Sequence, residues 1–160
     1  MTISFILNGD DESIQAGPDE RLIDILRDRF QLMMAKPGCR LGRCGSCSVI
    51  FNGKLVASCM VPAFSIRGGE VITMEGFSQT DEYQDIVEGF ALAGMETCGY
   101  CDNAKIFACE TLLGNIPRPS RQEIQEAFEG VICRCTNPQI LCEAVERAAD
   151  IRQKRLYGRS

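Results

Sequence analysis

The chain has 160 residues, 45% hydrophobic and 24% charged, with a formal net charge of −5 and no histidine. That length holds one domain or two small ones, and the acidic balance argues against a nucleic-acid binder. The missing imidazole removes Rieske centres, His-containing zinc sites, two-His facial triads and imidazole-activated nucleophiles, so unaided catalysis by this chain is not expected.

In chain order, MTISFILNGD lacks a basic n-region and a long apolar stretch and is expected to be a strand, not a signal peptide. Residues 2–7 alternate, Asn8-Gly9-Asp10 signals a turn, and 11–16 is expected to pair back as a hairpin. After Pro18 and Asp19, the residues Leu22, Ile23, Ile25, Leu26 and Phe30 carry helical spacing. SVIF at 48–51, Asn52-Gly53 and KLVA at 54–57 form the clearest hairpin signal, and EVITME at 70–75 is expected to be a closing strand.

From about residue 80 the period becomes helical, with helices expected over 82–94, 103–114, 121–129 and 138–155. Ser120 with Glu123 predicts a capping box, Gly130 a stop, and Asn137-Pro138 an N-cap followed by an N1 proline. Four helices with short connections predict a small bundle. Arg152, Lys154, Arg155 and Arg159 are expected to be a solvated helix end. No run approaches the length needed to span a bilayer. A reducing, cytoplasmic location is expected, where thiols hold metal in preference to forming disulfides.

Eight of the ten cysteines fall into two quartets. Cys39, Cys44 and Cys47, followed by a distant Cys59, have the rhythm that wraps a plant-type 2Fe–2S cluster. Gly38, Gly42 and Gly45 are expected to supply positive φ and let backbone N–H groups approach the sulfurs. Arg40 and Arg43 are placed to offset part of the cluster's negative charge. Cys98 and Cys101 in CGYC, with Cys133 and Cys135 in CRC, make the second quartet. Each of these pairs precedes an expected helix, whose N-terminal dipole favours an anion.

A zinc site joining Cys44/Cys47 to Cys98/Cys101 would need a separation far beyond ordinary ribbon spacing and would strand four cysteines. The cysteine content lies below that of a disulfide scaffold. Cys109 and Cys142 sit inside apolar helical patterns and are expected to be packing residues, as are Phe90, Met95, Phe107 and Phe128. Arg134 is open to two readings, a charge partner of its neighbouring thiolates or a solvated side chain.

Residues 37–59, PGCRLGRCGSCSVIFNGKLVASC, together with CGYC at 98–101 and CRCTN at 133–137, resemble the small iron–sulfur subunit of the molybdenum hydroxylases. That family includes xanthine dehydrogenase, aldehyde oxidoreductase, carbon monoxide dehydrogenase and nicotinate dehydrogenase. The resemblance implies an α+β chain: a β-grasp, ferredoxin-like domain over 1–76, then a four-helix 2Fe–2S domain over 77–160. It implies two 2Fe–2S clusters held by Cys39, Cys44, Cys47 and Cys59, and by Cys98, Cys101, Cys133 and Cys135. It also implies a large partner subunit with a molybdenum–pterin cofactor and a medium subunit with FAD. Electrons would pass from the molybdenum site through the helical-domain cluster and then the ferredoxin-like cluster to FAD.

The chain departs from the family pattern in three places. Thr97 replaces the usual Gln that contacts the pterin, Asp102-Asn103-Ala104 replaces Thr-Pro-Gly, and Asn137-Pro138 replaces Gly-Tyr. Thr97 is shorter than Gln, so its contact with the pterin runs through water or is not made. Two other readings stay open: a free-standing two-cluster electron shuttle, and a zinc-filled structural subunit.

Overall fold

The computed structural model describes residues 1–158. Thr2–Leu7 (β1) and Asp10–Gln15 (β2) pair antiparallel, with Leu7 opposite Asp10. The alternation of β1 buries Ile3, Phe5 and Leu7 on one face and leaves Thr2, Ser4 and Ile6 on the other. Leu22–Asp28 (α1) buries Leu22, Ile25 and Leu26 against those three residues, completing a first core with Val49 and Val71. Ser48–Phe51 (β3) and Lys54–Ala57 (β4) form a second hairpin around Asn52-Gly53. Glu70–Ile72 (β5) lies parallel to β1 and antiparallel to β3, giving the order β2-β1-β5-β3-β4. A five-stranded mixed sheet crossed by one helix is the expected β-grasp arrangement.

The strand expected over 70–75 stops at Ile72 because a distant side chain takes over the next backbone group. Asn8 Oδ1 accepts from the Thr73 N–H at 2.8 Å, and Asn8 Nδ2 donates to Thr73 Oγ1 at 3.1 Å. The chain then turns into a short helix, Met74–Phe77 (α2), whose Met74 and Phe77 enter a second core.

That second core lies among Asp81–Leu92 (α3), Asp102–Asn115 (α4), Arg121–Phe128 (α5) and Pro138–Tyr157 (α6), close to the spans expected from periodicity. Ser120 and Glu123 form the reciprocal capping box, and Asn137 caps α6 ahead of Pro138. Phe90, Met95, Phe107, Phe128, Cys109 and Cys142 are all buried there. Ile50 of β3 joins this core while its neighbour Val49 joins the first, so the sheet is covered on both faces. Among the described residues no helix is long and apolar enough to cross a membrane.

Within the basic tail Arg152 departs from the expected solvated helix end. Arg152 is 6% exposed, its Nη2 donating to Glu110 Oε2 at 2.6 Å and to the Glu82 carbonyl at 3.1 Å, with Asp85 Oδ2 at 3.4 Å from Nε. Arg155 adds a bond to Asp85 Oδ2 at 2.8 Å. The reason is the close seating of α6 on α3: a Cβ on Gly89 would lie 2.4 Å from the Ala148 nitrogen. At that separation the Arg152 side chain is enclosed between α3 and α4 and takes its partners, Glu82, Asp85 and Glu110, from both. Lys154 is exposed, and Arg159 lies outside the described residues.

This interface sets two expectations for stability. Gly→Ala in an open helix gains about 1 kcal/mol from propensity, but Gly89→Ala is expected to cost about 1–3 kcal/mol because the new methyl meets backbone. Asp85→Ala is expected to cost about 3 kcal/mol, the lower end for a broken buried ion pair, since Glu110 still holds Arg152. Urea unfolding midpoints of the native protein check both; stabilisation by Gly89→Ala, or a loss below about 1 kcal/mol for Asp85→Ala, would contradict the packing described.

Candidate metal centres

The first three cysteines lie on the irregular segment between α1 and β3. Arg27 Nη1 gathers it by donating to the Met33 and Ala35 carbonyls at 3.0 and 2.9 Å. The Lys36 N–H donates to the Ser46 carbonyl at 3.0 Å, and Ser46 Oγ returns a bond to the Lys36 carbonyl at 2.9 Å. Inside this loop Cys39 Sγ accepts the N–H groups of Leu41, Arg43 and Cys44 at 3.3, 3.2 and 3.4 Å. Cys44 Sγ accepts the Cys39 N–H at 3.4 Å. Those backbone donors, Leu41 first, hold the Cys39 thiol down at a pKa of about 6.

Cys59 follows β4 on a 3-10 turn, Ser58–Met60, and packs with Cys47 and Ile23 in a small buried cluster. Ser58 Oγ donates to the Cys47 carbonyl at 2.7 Å and ties the two ligand positions together. Burial pushes the Cys47 thiol up to about 11.

Gly42 and Gly45 do adopt positive φ, +70° and +72°, but the other left-handed residue between Gly38 and Cys47 is Arg40 at +54°, not Gly38. Gly38 is needed for closeness instead: a Cβ there would lie 2.6 Å from Ser46 Oγ and 2.9 Å from Cys44 Sγ. The expected charge compensation by arginine also differs. Arg40 Nη2 pairs with Asp24 Oδ1 at 2.8 Å, which cancels much of its charge, and Arg43 reaches sulfur through its backbone N–H.

The second quartet converges from three segments. Cys133 Sγ is 3.3 Å from Cys135 Sγ, which is 3.8 Å from Cys98 Sγ, and the sulfurs of Cys101, Cys133 and Cys135 all lie within 4.8 Å of one another. Cys101 occupies the N-cap of α4, and Cys133 and Cys135 stand in coil just ahead of α6, so both pairs precede their helices as expected. Their polar company is the Thr136 hydroxyl, 3.7 and 3.8 Å from the two sulfurs, and Lys105 Nζ, 3.9 Å from Cys135 Sγ. Desolvation works against the Cys133 thiolate, but hydrogen bonds from Cys135, Cys101 and Thr136 bring it to about 6. Burial pushes Cys101 up to about 12, and the Tyr100 N–H lowers Cys98. Arg134 is exposed and forms no ion pair among the described residues.

Two thiol-only donor sets, one with converged sulfurs and one with three N–H groups aimed at a single sulfur, suit anionic thiolate-bound clusters. Cys109 and Cys142 stay apart in the helical core, where burial raises both thiols.

The two cysteine-bearing regions touch. A Cβ on Gly45 would lie 2.9 Å from Ala104 Cβ in the first turn of α4 and 3.6 Å from the Gly130 carbonyl. A Cβ on Gly38 would lie 3.0 Å from the Tyr100 hydroxyl. Lys36 Nζ donates to the Gly99 carbonyl and sits 5.6 Å from the Tyr100 ring centroid, while Asn103 Nδ2 donates to the Met34 carbonyl. Sequence reasoning did not find Lys36, Tyr100, Asn103 or Lys105. The one local signal was the unusual Asp102-Asn103-Ala104 itself, with Ala104 small enough to admit Gly45. Thr97 is exposed, its hydroxyl donating to Asp102 Oδ2 at 2.7 Å.

Residues 5–71 match the 2Fe-2S iron-sulfur cluster binding domain family, and residues 73–146 match the 2Fe-2S binding domain family. The chain is thus a protein of two 2Fe–2S-binding domains. It is 38% identical to the nicotinate dehydrogenase small FeS subunit of Eubacterium barkeri over 94% of its own length and 96% of that subunit's. It is 36% identical to a nicotinate dehydrogenase subunit of Pseudomonas putida, covering 96% of this chain and 98% of that one. A chain in the crystal structure of quinoline 2-oxidoreductase from Pseudomonas putida 86 superposes with a TM-score of 0.87 at 30% identity, covering 99% and 98% of the two chains. The protein belongs to the iron–sulfur subunit family of the molybdenum hydroxylases.

The loop contact is testable against an internal control. Gly45 and Gly53 share nearly the same φ, +72° and +74°, but a Cβ on Gly53 meets nothing within 4 Å. Alanine at either position brings left-handed strain of about 1–3 kcal/mol, and Gly45→Ala is expected to lose a further 1–3 kcal/mol or so by pressing on Ala104. Equal unfolding midpoints for the two variants would contradict the contact.

Proposed function

We propose that Cys39, Cys44, Cys47 and Cys59 ligate one 2Fe–2S cluster and that Cys98, Cys101, Cys133 and Cys135 ligate a second. In this reading residues 1–76 and 77–160 are the two cluster-bearing units of an electron-transfer subunit. Its partners are a large chain carrying a molybdenum–pterin cofactor and a medium chain carrying FAD, in the reducing environment of the cytoplasm. When bound, each 2Fe–2S centre supplies a one-electron relay, so the pair carries electrons from the substrate-oxidising site of the complex toward its acceptor.

The chain's own residues place and tune. Leu41, Arg43 and Cys44 present N–H groups to Cys39 Sγ, stabilising the thiolate without a mobile charge. Cys47 and Cys59 are buried, which keeps water from that side of the site. The observation that carries the proposal is the direct packing of the two cysteine-bearing regions through Gly38, Gly45, Tyr100 and Ala104, because a relay needs its two sites held close and still.

A role within a complex is favoured over a free shuttle by what surrounds the sulfurs. Cys98 and Cys135 are exposed, and large apolar side chains stand open beside the quartets: Tyr100 and Ile132 near the second, Leu41 and Met60 near the first. Apolar exposure around a redox site is the mark of a face that another chain covers. Thr97, its hydroxyl committed to Asp102, meets a pterin in that partner through water or not at all.

Native protein purified without oxygen is expected to bring down a large and a medium chain and to contain about four irons per copy of this chain. Cys135→Ser should lose about half of that iron and interrupt turnover, while Cys109→Ala should keep all of it. Two irons in the wild type, or unchanged iron in Cys135→Ser, would contradict the ligand assignment; a monomer with four irons would contradict only the place of this chain in a complex.

A further inference from the structure

Lys105 is an ionisable side chain where a helical core ordinarily has none. It stands one turn into α4 from Cys101 and is 1% exposed. Its Nζ donates to Thr136 Oγ1 at 2.8 Å and lies 3.9 Å from Cys135 Sγ. Among the described residues the carboxylate that pairs with it belongs to Asp102, whose Oδ1 is 3.8 Å from Nζ, buried and without a hydrogen-bond partner. A buried ammonium offers three donors and needs opposing charge to be tolerated. One hydroxyl and one loosely placed carboxylate do not meet that need. The group of sulfurs beside it does, once it carries negative charge.

We propose that Lys105 is a fixed cation that raises the reduction potential of the second quartet's cluster, a positioning residue acting through Cys135 and Thr136. The proposal rests on that quartet holding a 2Fe–2S cluster. Reduction adds one electron to a centre that is already anionic, so a nearby positive charge shielded from water favours the reduced form. Asp102 pulls the other way, and Thr97 Oγ1, donating to its Oδ2, weakens that pull. Among the described residues no buried lysine or arginine stands beside the first quartet, where Arg40 and Arg43 are exposed and Arg40 is paired with Asp24. The arrangement therefore adjusts one centre and leaves the other alone.

The test is a redox titration of the native complex followed by EPR. At the potential that half-reduces the wild-type second cluster, Lys105→Met is expected to lower the reduced-to-oxidised ratio about tenfold, equivalent to about 59 mV for one electron. The first cluster should not move. Lys105→Arg, which keeps the charge, should stay near wild type, and Asp102→Asn should shift the second cluster the opposite way. A second signal with an unchanged or raised midpoint in Lys105→Met overturns the proposal. Should Lys105→Met fail to assemble that cluster, Asp102→Asn decides, and an unchanged midpoint there overturns it equally. Absence of the second signal from wild type overturns the ligand assignment itself, which the iron count identifies separately.

Discussion

The contact between the 38–46 loop and the first turn of α4 is the constraint from which the remaining architecture follows. Gly45 against Ala104 and Gly38 against Tyr100 bring two backbones together at positions where a larger side chain has no room. Lys36 and Asn103 then lock the same seam with bonds to the Gly99 and Met34 carbonyls. Because β3 gives Val49 to one core and Ile50 to the other, the ferredoxin-like sheet and the helical layer share a wall. Neither sulfur-bearing region can shift without disturbing packing on both sides.

The handling of charge follows a common plan in the two regions. Each pairs a thiol whose negative form is supported by hydrogen bonds, Cys39 in one and Cys133 in the other, with a thiol whose burial disfavours that form, Cys47 and Cys101 respectively. A buried thiolate is costly unless a metal ion neutralises it. Ligation and folding are therefore coupled, and the protein meets that demand with backbone N–H groups on one side and dry packing on the other. Both regions set a hydroxyl and main-chain donors against sulfur, and the second alone adds a buried lysine.

What could be read from the amino-acid sequence was local. The hairpin at Asn52-Gly53, the Ser120–Glu123 box and the Asn137-Pro138 start each depend on residues within four positions of one another, and each is found where expected. Cysteine spacing likewise pointed to Cys101, Cys133 and Cys135, whose sulfurs lie within 4.8 Å of one another. The misreadings share a different cause. The strand at 70–75 is cut short by Asn8, which is 65 residues away along the chain. Arg152 looked like a solvated tail because its partners Asp85 and Glu110 lie on other helices. Arg40 looked free to face a cluster until Asp24 on α1 claimed it. The seam through Tyr100 and Ala104, and the burial of Lys105, depend on tertiary packing that no short-range pattern encodes.

Two iron–sulfur centres side by side in one chain must sense each other's unpaired spins. Low-temperature EPR of the fully reduced native protein tests this most directly. Two signals integrating to one spin each per chain, broadened by mutual magnetic coupling that disappears when either is left oxidised, are the predicted result. A single uncoupled signal, or colourless protein with zinc in place of iron, would contradict the account.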